Sequence, residues 1–206
     1  MARLDSVPGA KGFARARVGW KEGGLSGRTD DQLVVDFVRG DEEALRILVQ
    51  RWEGPVYAFL VHMMGSTEDA EDLCQDTFMR LIQAARRYQP AGKFRSWLLR
   101  IAGNLARSRL RRRKILRWVP LGPEHDVRHV PARDPLAALV DRQEQQRVQA
   151  AIQRLPDRQR EALILKQFHG LAYREIAEAM GASVASVQML LHRAMTALRG
   201  ELGEEP

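Results

Sequence analysis

Residues 93–114 of this 206-residue chain read KFRSWLLRIAGNLARSRLRRRK, and the window 91–118 holds ten Lys and Arg and no acid. A solvated helix face normally mixes signs, so a one-sign cluster of this density points to phosphate. Tyr88, Phe94 and Trp97 flank or enter it. Cations interleaved with rings suit single-stranded nucleic acid, where arginines follow the backbone and rings or pockets hold unstacked bases. Phe94 and Trp97 also read as core residues, Trp97 the more so because it opens an apolar stripe with Ile101 and Leu105. Asn104 lies beside that stripe, with a side chain able to donate and accept toward a base edge.

Residues 66–85 carry the opposite sign. Glu68, Asp69, Glu71, Asp72 and Asp76 place five acids within nine residues, among apolar and amide neighbours. Two readings stand side by side. Acids near a helix N-terminus are favoured by the helix dipole; an acidic face whose members repel one another also fits docking to a basic partner.

A third group lies near the C-terminus. Ala177, Gly181 and Val187 are spaced by four and six residues. Two helices in a tight turn need a small residue where they touch, a glycine able to take positive φ, and an apolar anchor on the second helix. Ile176, Met180 and Leu191 complete a small core, and Ser183 is placed to cap the second helix. An ordinary helical hairpin uses the same residues, but the polar outer face favours a DNA-binding helix-turn-helix. That face carries Ala185, Ser186, Gln188, Met189, His192, Arg193 and Thr196. Gln188 can pair with adenine edges, and Arg193 with guanine or phosphate, in a major groove. The face is poor in charge, so this unit alone should bind DNA weakly.

Enzyme signatures are absent: no Walker loop, no glycine-rich dinucleotide fingerprint and no HExxH. The chain is therefore expected not to be an enzyme, with no cofactor and no metal. His125 and His129 lie four apart in a proline-rich stretch with no third ligand nearby. The single cysteine, Cys74, rules out an internal disulfide and reads as a small buried hydrophobe. Apolar residues at 45% suffice for packed cores, while no run approaches the roughly 20 apolar residues of a membrane span and no signal peptide is visible. A soluble, cytoplasmic, basic protein of net charge +7 is the expectation.

The elements that must position these groups read as all-α, in two small helical domains joined by a flexible linker. Residues 1–28 (+4, six glycines) look like a flexible basic leader. Residues 29–118 form a first domain. It opens with Asp30 and Asp31 as N-cap or first-turn carboxylates before Leu33, Val34, Phe37 and Val38, and Gly40 breaks this helix. A helix starts at Asp41, and Gly54-Pro55 allows a bend before Val56. Ser66 with Asp69 suggests a capping box for the acidic helix, whose apolar stripe runs through Ala70, Leu73, Phe78, Leu81, Ile82 and Ala85. A fourth helix spans about residues 96–117, with Trp97, Leu98, Ile101, Leu105 and Leu110 inward; Gly103 within it costs about 1 kcal/mol relative to alanine. Residues 119–134 form the linker and 135–206 the helix-turn-helix domain.

The runs DAEDLCQDTFMRLIQAARRY, KFRSWLLRIAGNLARSRLRRRK and LPDRQREALILKQFHGLAYREIAEAMGASVASVQMLLHRAMTALR, in that order, resemble the extracytoplasmic-function (ECF, group 4) sigma factors of the sigma-70 family. The resemblance covers roughly residues 29–200 and implies two domains, σ2 and σ4. It implies that Asp69, Asp72, Gln75, Asp76, Phe78 and Leu81 dock on core RNA polymerase at the β′ clamp helices, with σ4 at the β flap. It implies that the loop from Tyr88, with Lys93, Phe94, Arg95 and Asn104, captures a flipped base of the −10 element. Arg100, Arg107, Arg111, Arg112 and Arg113 then hold the melted strand and upstream phosphates. It implies that Arg174, Ser183, Ala185, Ser186, Gln188, Met189, His192 and Arg193 read duplex DNA at the −35 element, and that an anti-sigma factor covers these surfaces. Gln188, Met189 and Leu190 stand where relatives often carry arginine, lysine and serine, which bears on the −35 sequence read.

The function expected is promoter-specific transcription initiation through core polymerase. Two rivals leave features unused. A stand-alone helix-turn-helix regulator, which predicts a dimer and a two-fold operator, leaves the acidic helix and the basic block without a task. An RNA-binding accessory protein leaves the helix-turn-helix without one.

Overall fold

The computed structural model describes residues 27–117 and 137–203, and side chains over 27–115 and 146–203. The leader up to residue 26, the linker, His125 and His129 lie outside the described residues. The first unit is α1 (Asp30–Val38), α2 (Glu42–Met64), α3 (Thr67–Ala84) with a 3-10 turn at Ala85–Arg87, and α4 (Phe94–Arg117). The second is α5 (Ala137–Arg154), α6 (Asp157–Gln167), α7 (Tyr173–Met180) and α8 (Val184–Leu202). Among the described residues there is no strand, as the all-α reading expects.

Side chains near each helix start explain where the helices begin. Thr29 caps α1 in a capping box with Gln32: Thr29 Oγ1 accepts from the Gln32 amide at 3.2 Å, and Gln32 Oε1 accepts from the Thr29 amide at 2.8 Å. Asp30 and Asp31 are therefore first-turn residues. Asp41 caps α2 through the Ala44 amide at 3.2 Å. Ser66 caps α3 through the Asp69 amide at 3.3 Å, but the expected box is only half made, because the Asp69 carboxylate turns to arginines of α4.

Two points of helix shape go beyond the sequence reading. Gly54-Pro55 does not divide the chain into two helices: α2 is one helix of 23 residues with Pro55 inside it. Proline removes one helical hydrogen bond, and the buried face of Trp52, Val56, Phe59, Leu60 and Met63 holds the helix across the gap. In α4 the inward face is rotated from the expected stripe. Leu98, Leu99, Ala102, Ala106 and Leu110 are buried, while Trp97, Ile101 and Leu105 are half-buried. A reading weighted by side-chain size passes over Ala102 and Ala106, the small residues that let neighbouring helices approach.

The two units are packed against each other, and their apolar cores form one continuous cluster. Helix α6 is central. Ala162, Leu163, Ile164 and Leu165 are all fully buried in succession, the mark of a helix surrounded on all sides. The last carbonyls of α2 have no partner within their own helix; Gln153 Nε2 donates to His62 O at 2.7 Å and Arg160 Nη1 to Met63 O at 2.8 Å. The second unit thus caps a helix of the first.

Candidate functional site

Helix α3 divides sharply into two faces. Asp72, Gln75 and Asp76 are exposed. Phe78 and Leu81 are in the core at 9% and 0% exposure, so they brace the helix from within and are not surface contacts. Asp69 is also buried, 3.0 Å from Arg109 Nη1 and ion-paired with Arg113. Its carboxylate ties α3 to α4, so Asp69 faces inward, whereas the Arg113 side chain stays 40% exposed. Ile82, expected inside, is exposed, and Met79 is 56% exposed beside it. These two apolar residues extend the exposed face of Asp72, Gln75 and Asp76 at helical spacing, a signal present in the sequence but not used. Cys74 is buried, its sulfur 3.9 Å from Glu53 O, and burial pushes the thiol up to about 11. Such a thiol carries little thiolate at neutral pH.

The loop from Tyr88 and the start of α4 are built around a ring cluster. Tyr88 lies 4.5 Å from Trp97 and 6.0 Å from Phe94, and Phe94 packs on Trp52 at 5.5 Å. Phe94 is 2% exposed, so it supports this loop from below and has no face for a base in this arrangement. Arg100, Asn104, Arg111 and Arg112 are exposed.

Several of the remaining cations of the α4 set meet carboxylates of the second unit. Lys93 Nζ is 2.6 Å from Glu178 Oε1, and Lys114 Nζ is 2.9 Å from Asp157 Oδ2. Arg95 donates to His169 O and lies 3.8 Å from Glu175 Oε1. Arg107 pairs with buried Glu161 and donates to Asn104 Oδ1 as well. Burial pushes the Glu161 carboxyl upward, and Arg107 pulls it back. Gly103 makes this pair possible: a Cβ there would stand 2.4 Å from Glu161 Oε1. The glycine that weakens α4 by the propensity scale is where the other unit comes closest.

His169 and His62 sit in the same seam. His62 stacks on Phe168 at 4.1 Å and bonds Gln149 Oε1 at 3.2 Å, while His169 packs edge-on to Phe59. Burial first, then the nearby His62 ring and Arg95 guanidinium, pushes His169 down to about 3; burial also lowers His62. Both are neutral in the packed form, whereas released histidines titrate near 6.5. The packed form therefore binds fewer protons, so its stability is complete above about pH 6.5 and falls as pH drops toward 3. Acidification from pH 7.5 to 5 is expected to enlarge the radius of gyration in small-angle scattering, an effect reduced in His169→Gln.

The helix-turn-helix matches its expected geometry. Gly181 ends α7 at φ 58°, the left-handed conformation the turn needs, and Ser183 caps α8 through the Ser186 amide at 3.1 Å. Ala177 and Val187 are buried between the helices. Arg174, Ala185, Ser186, Gln188, Met189, His192 and Arg193 are all exposed. Packing of the units thus engages Lys93, Arg95 and Arg107 but leaves the outer face of α8 open. Among the described residues no group of three or more His, Cys, Asp or Glu is placed to hold a metal ion, and no helix is long and apolar enough to cross a membrane.

Comparison with known proteins agrees with this arrangement. The family model for Sigma-70 region 2 matches residues 48–115, and that for Sigma-70, region 4 matches residues 145–198. The chain is 35% identical to the ECF RNA polymerase sigma factor SigE of Mycolicibacterium smegmatis over 170 residues, covering 80% of this chain and 65% of that relative's length. It is 32% identical to the RNA polymerase sigma factor CarQ of Myxococcus xanthus, over 82% of this chain and 94% of CarQ. It is 30% identical to the ECF RNA polymerase sigma factor SigW of Bacillus subtilis, over 80% of this chain and 91% of SigW. Among solved structures, CnrH in complex with the cytosolic domain of CnrY superposes with a TM-score of 0.63 at 25% identity, covering 86% of this chain and 99% of CnrH. With both units matched in order and SigW and CarQ aligned over nearly their whole lengths, the chain belongs to the ECF family of RNA polymerase sigma factors.

Proposed function

We propose that this protein is a promoter-specificity subunit: it binds core RNA polymerase through the exposed face of α3, reads upstream duplex with α8, and holds the unpaired −10 strand with α4. Residues 29–118 and 135–206 act as its two working domains. The observation that carries this reading is the division of labour over one surface. An acidic stripe with Met79 and Ile82 at its edge faces away from the core, and a separate helix gathers the cations. A helix-turn-helix presents polar side chains on the exposed face of α8. Bond making belongs to the polymerase, and this chain supplies position and sequence preference.

The packed arrangement adds a step. Carboxylates of the second unit occupy Lys93, Arg95 and Arg107, so the −10 strand competes with Glu178, Glu175 and Glu161 for the same cations. Polymerase binding must therefore part the units before α4 can work, while α8 is available throughout. CnrH was solved in complex with the cytosolic domain of CnrY, which supports a protein partner for this chain too; that it is an anti-sigma factor covering these surfaces is part of the proposal.

Asp72→Arg combined with Asp76→Arg is expected to weaken binding to purified core polymerase at least a hundredfold, with the helical circular dichroism signal unchanged. Fluorescence anisotropy across a salt series measures it. Wild-type affinity in the double variant would remove α3 from the docking role. Absence of core binding by the wild-type chain, with duplex DNA bound by the free protein, would favour the stand-alone regulator.

A further inference from the structure

Helix α1 lies ahead of the matched region-2 segment, which begins at residue 48, and no part of the functional reading gives α1 a task. Its first turn nevertheless reaches the loop between α3 and α4. Asp31 Oδ1 accepts the Tyr88 hydroxyl at 2.5 Å, and Asp31 Oδ2 accepts the Gly92 amide at 2.6 Å. One carboxylate thus grips both ends of the Tyr88–Gly92 loop, from 57 and 61 residues away in sequence. Gly92 takes φ 67°, the left-handed region that lets the chain turn back toward α1. Burial and the bond to Asp31 both hold the Tyr88 phenol well above its usual range, so it remains a donor.

Asp31 is itself anchored. Asp30, its neighbour, is ion-paired with Arg51 of α2, both side chains largely buried. Arg28 bridges Asp36 at 2.9 Å and Asp41 at 2.8 Å, tying α1 to the start of α2. The carboxylate therefore stands on a helix fixed to the core, and the loop is held where a rigid element puts it. We propose that Asp31 is a positioning residue for base capture: it holds the Tyr88–Gly92 loop in one shape ahead of Lys93, and with it one base preference.

This inference rests on the −10 reading of the loop, and its test separates the two. Holoenzyme is assembled from purified core polymerase and transcribes a template library randomised across the −10 element. Base preference is read at the most selective position, alongside core affinity and thermal melting. Asp31→Asn is expected to lower that preference about tenfold with core affinity within twofold of wild type. Tyr88→Phe, which removes only the hydroxyl and leaves the Gly92 bond, is expected to shift it the same way by a smaller factor, and it decides the matter alone where Asp31→Asn fails to fold. A uniform loss of transcript with base preference intact in the folded variants would reduce Asp31 to a structural role and overturn the proposal. A wild-type chain that fails to bind core would instead overturn the promoter-specificity reading.

Discussion

Glu161→Lys is expected to part the two units while each keeps its helices. The Glu161 side chain is buried and its partner Arg107 is nearly so, with Gly103 leaving no spare volume beside them. A lysine would place two cations together out of water, and breaking a buried pair in this way costs about 3–5 kcal/mol. Separation of the units removes the cost by returning both charges to solvent. The radius of gyration should rise by several ångströms with helical content unchanged. Affinity of the free protein for single-stranded DNA should rise at least tenfold, as Arg107 and its neighbours are released. Glu161→Gln should do less, because burial already favours the neutral carboxyl. An unchanged scattering profile and unchanged DNA affinity in Glu161→Lys would show that the ion pair does not hold the units together.

Arg160→Ala should have the second large effect, on stability. Arg160 is buried, and its guanidinium donates to Ile152 O at 3.2 Å, Leu155 O at 3.1 Å and Met63 O at 2.8 Å, with Gln153 O as a fourth acceptor. Burial lowers its affinity for the proton, with Asp157 opposing, yet arginine stays charged because its ordinary value is so high. Truncation orphans carbonyls at the ends of α2 and α5 and leaves a cavity. Each unsatisfied buried carbonyl costs about 1–3 kcal/mol, and the combined loss should reach about 3–5 kcal/mol, the range for an exceptional single substitution. At about 2–4 °C per kcal/mol for a protein of this size, the melting temperature should fall by about 10 °C. Arg160→Lys should recover little, since one ammonium lacks the planar fork that reaches several acceptors. A melting temperature within 2 °C of wild type would mean that water replaces the guanidinium.

Short-range patterns were largely legible in the sequence. Gly181, Ala177, Val187 and Ser183 specify the helix-turn-helix because cap, turn and anchor all lie within eleven residues. The exposed face of α3 was legible at Asp72, Gln75 and Asp76 for the same reason. What was missed depends on partners distant in the chain. Asp69 reads as one more surface acid until Arg109 and Arg113, 40 and 44 residues on, are brought to it. Lys93, Arg95 and Arg107 read as free cations until α6 and α7 arrive with Glu161, Glu175 and Glu178. The continuity of α2 through Pro55 is of the same kind, since a local breaker yields to burial of a whole face.

Gly103 has a consequence for competition among specificity subunits. On the proposed mechanism core polymerase takes this protein open, so the free energy that keeps it closed is subtracted from its apparent affinity, tenfold for each 1.4 kcal/mol. The absence of a single methyl group at Gly103 lets Glu161 reach Arg107 and so helps set that free energy. By that mechanism the glycine would act as a handicap, ranking this chain below any rival that binds a limited pool of polymerase without first having to unfasten. A partner that loosened the seam would raise the rank of this protein without touching either polymerase or DNA.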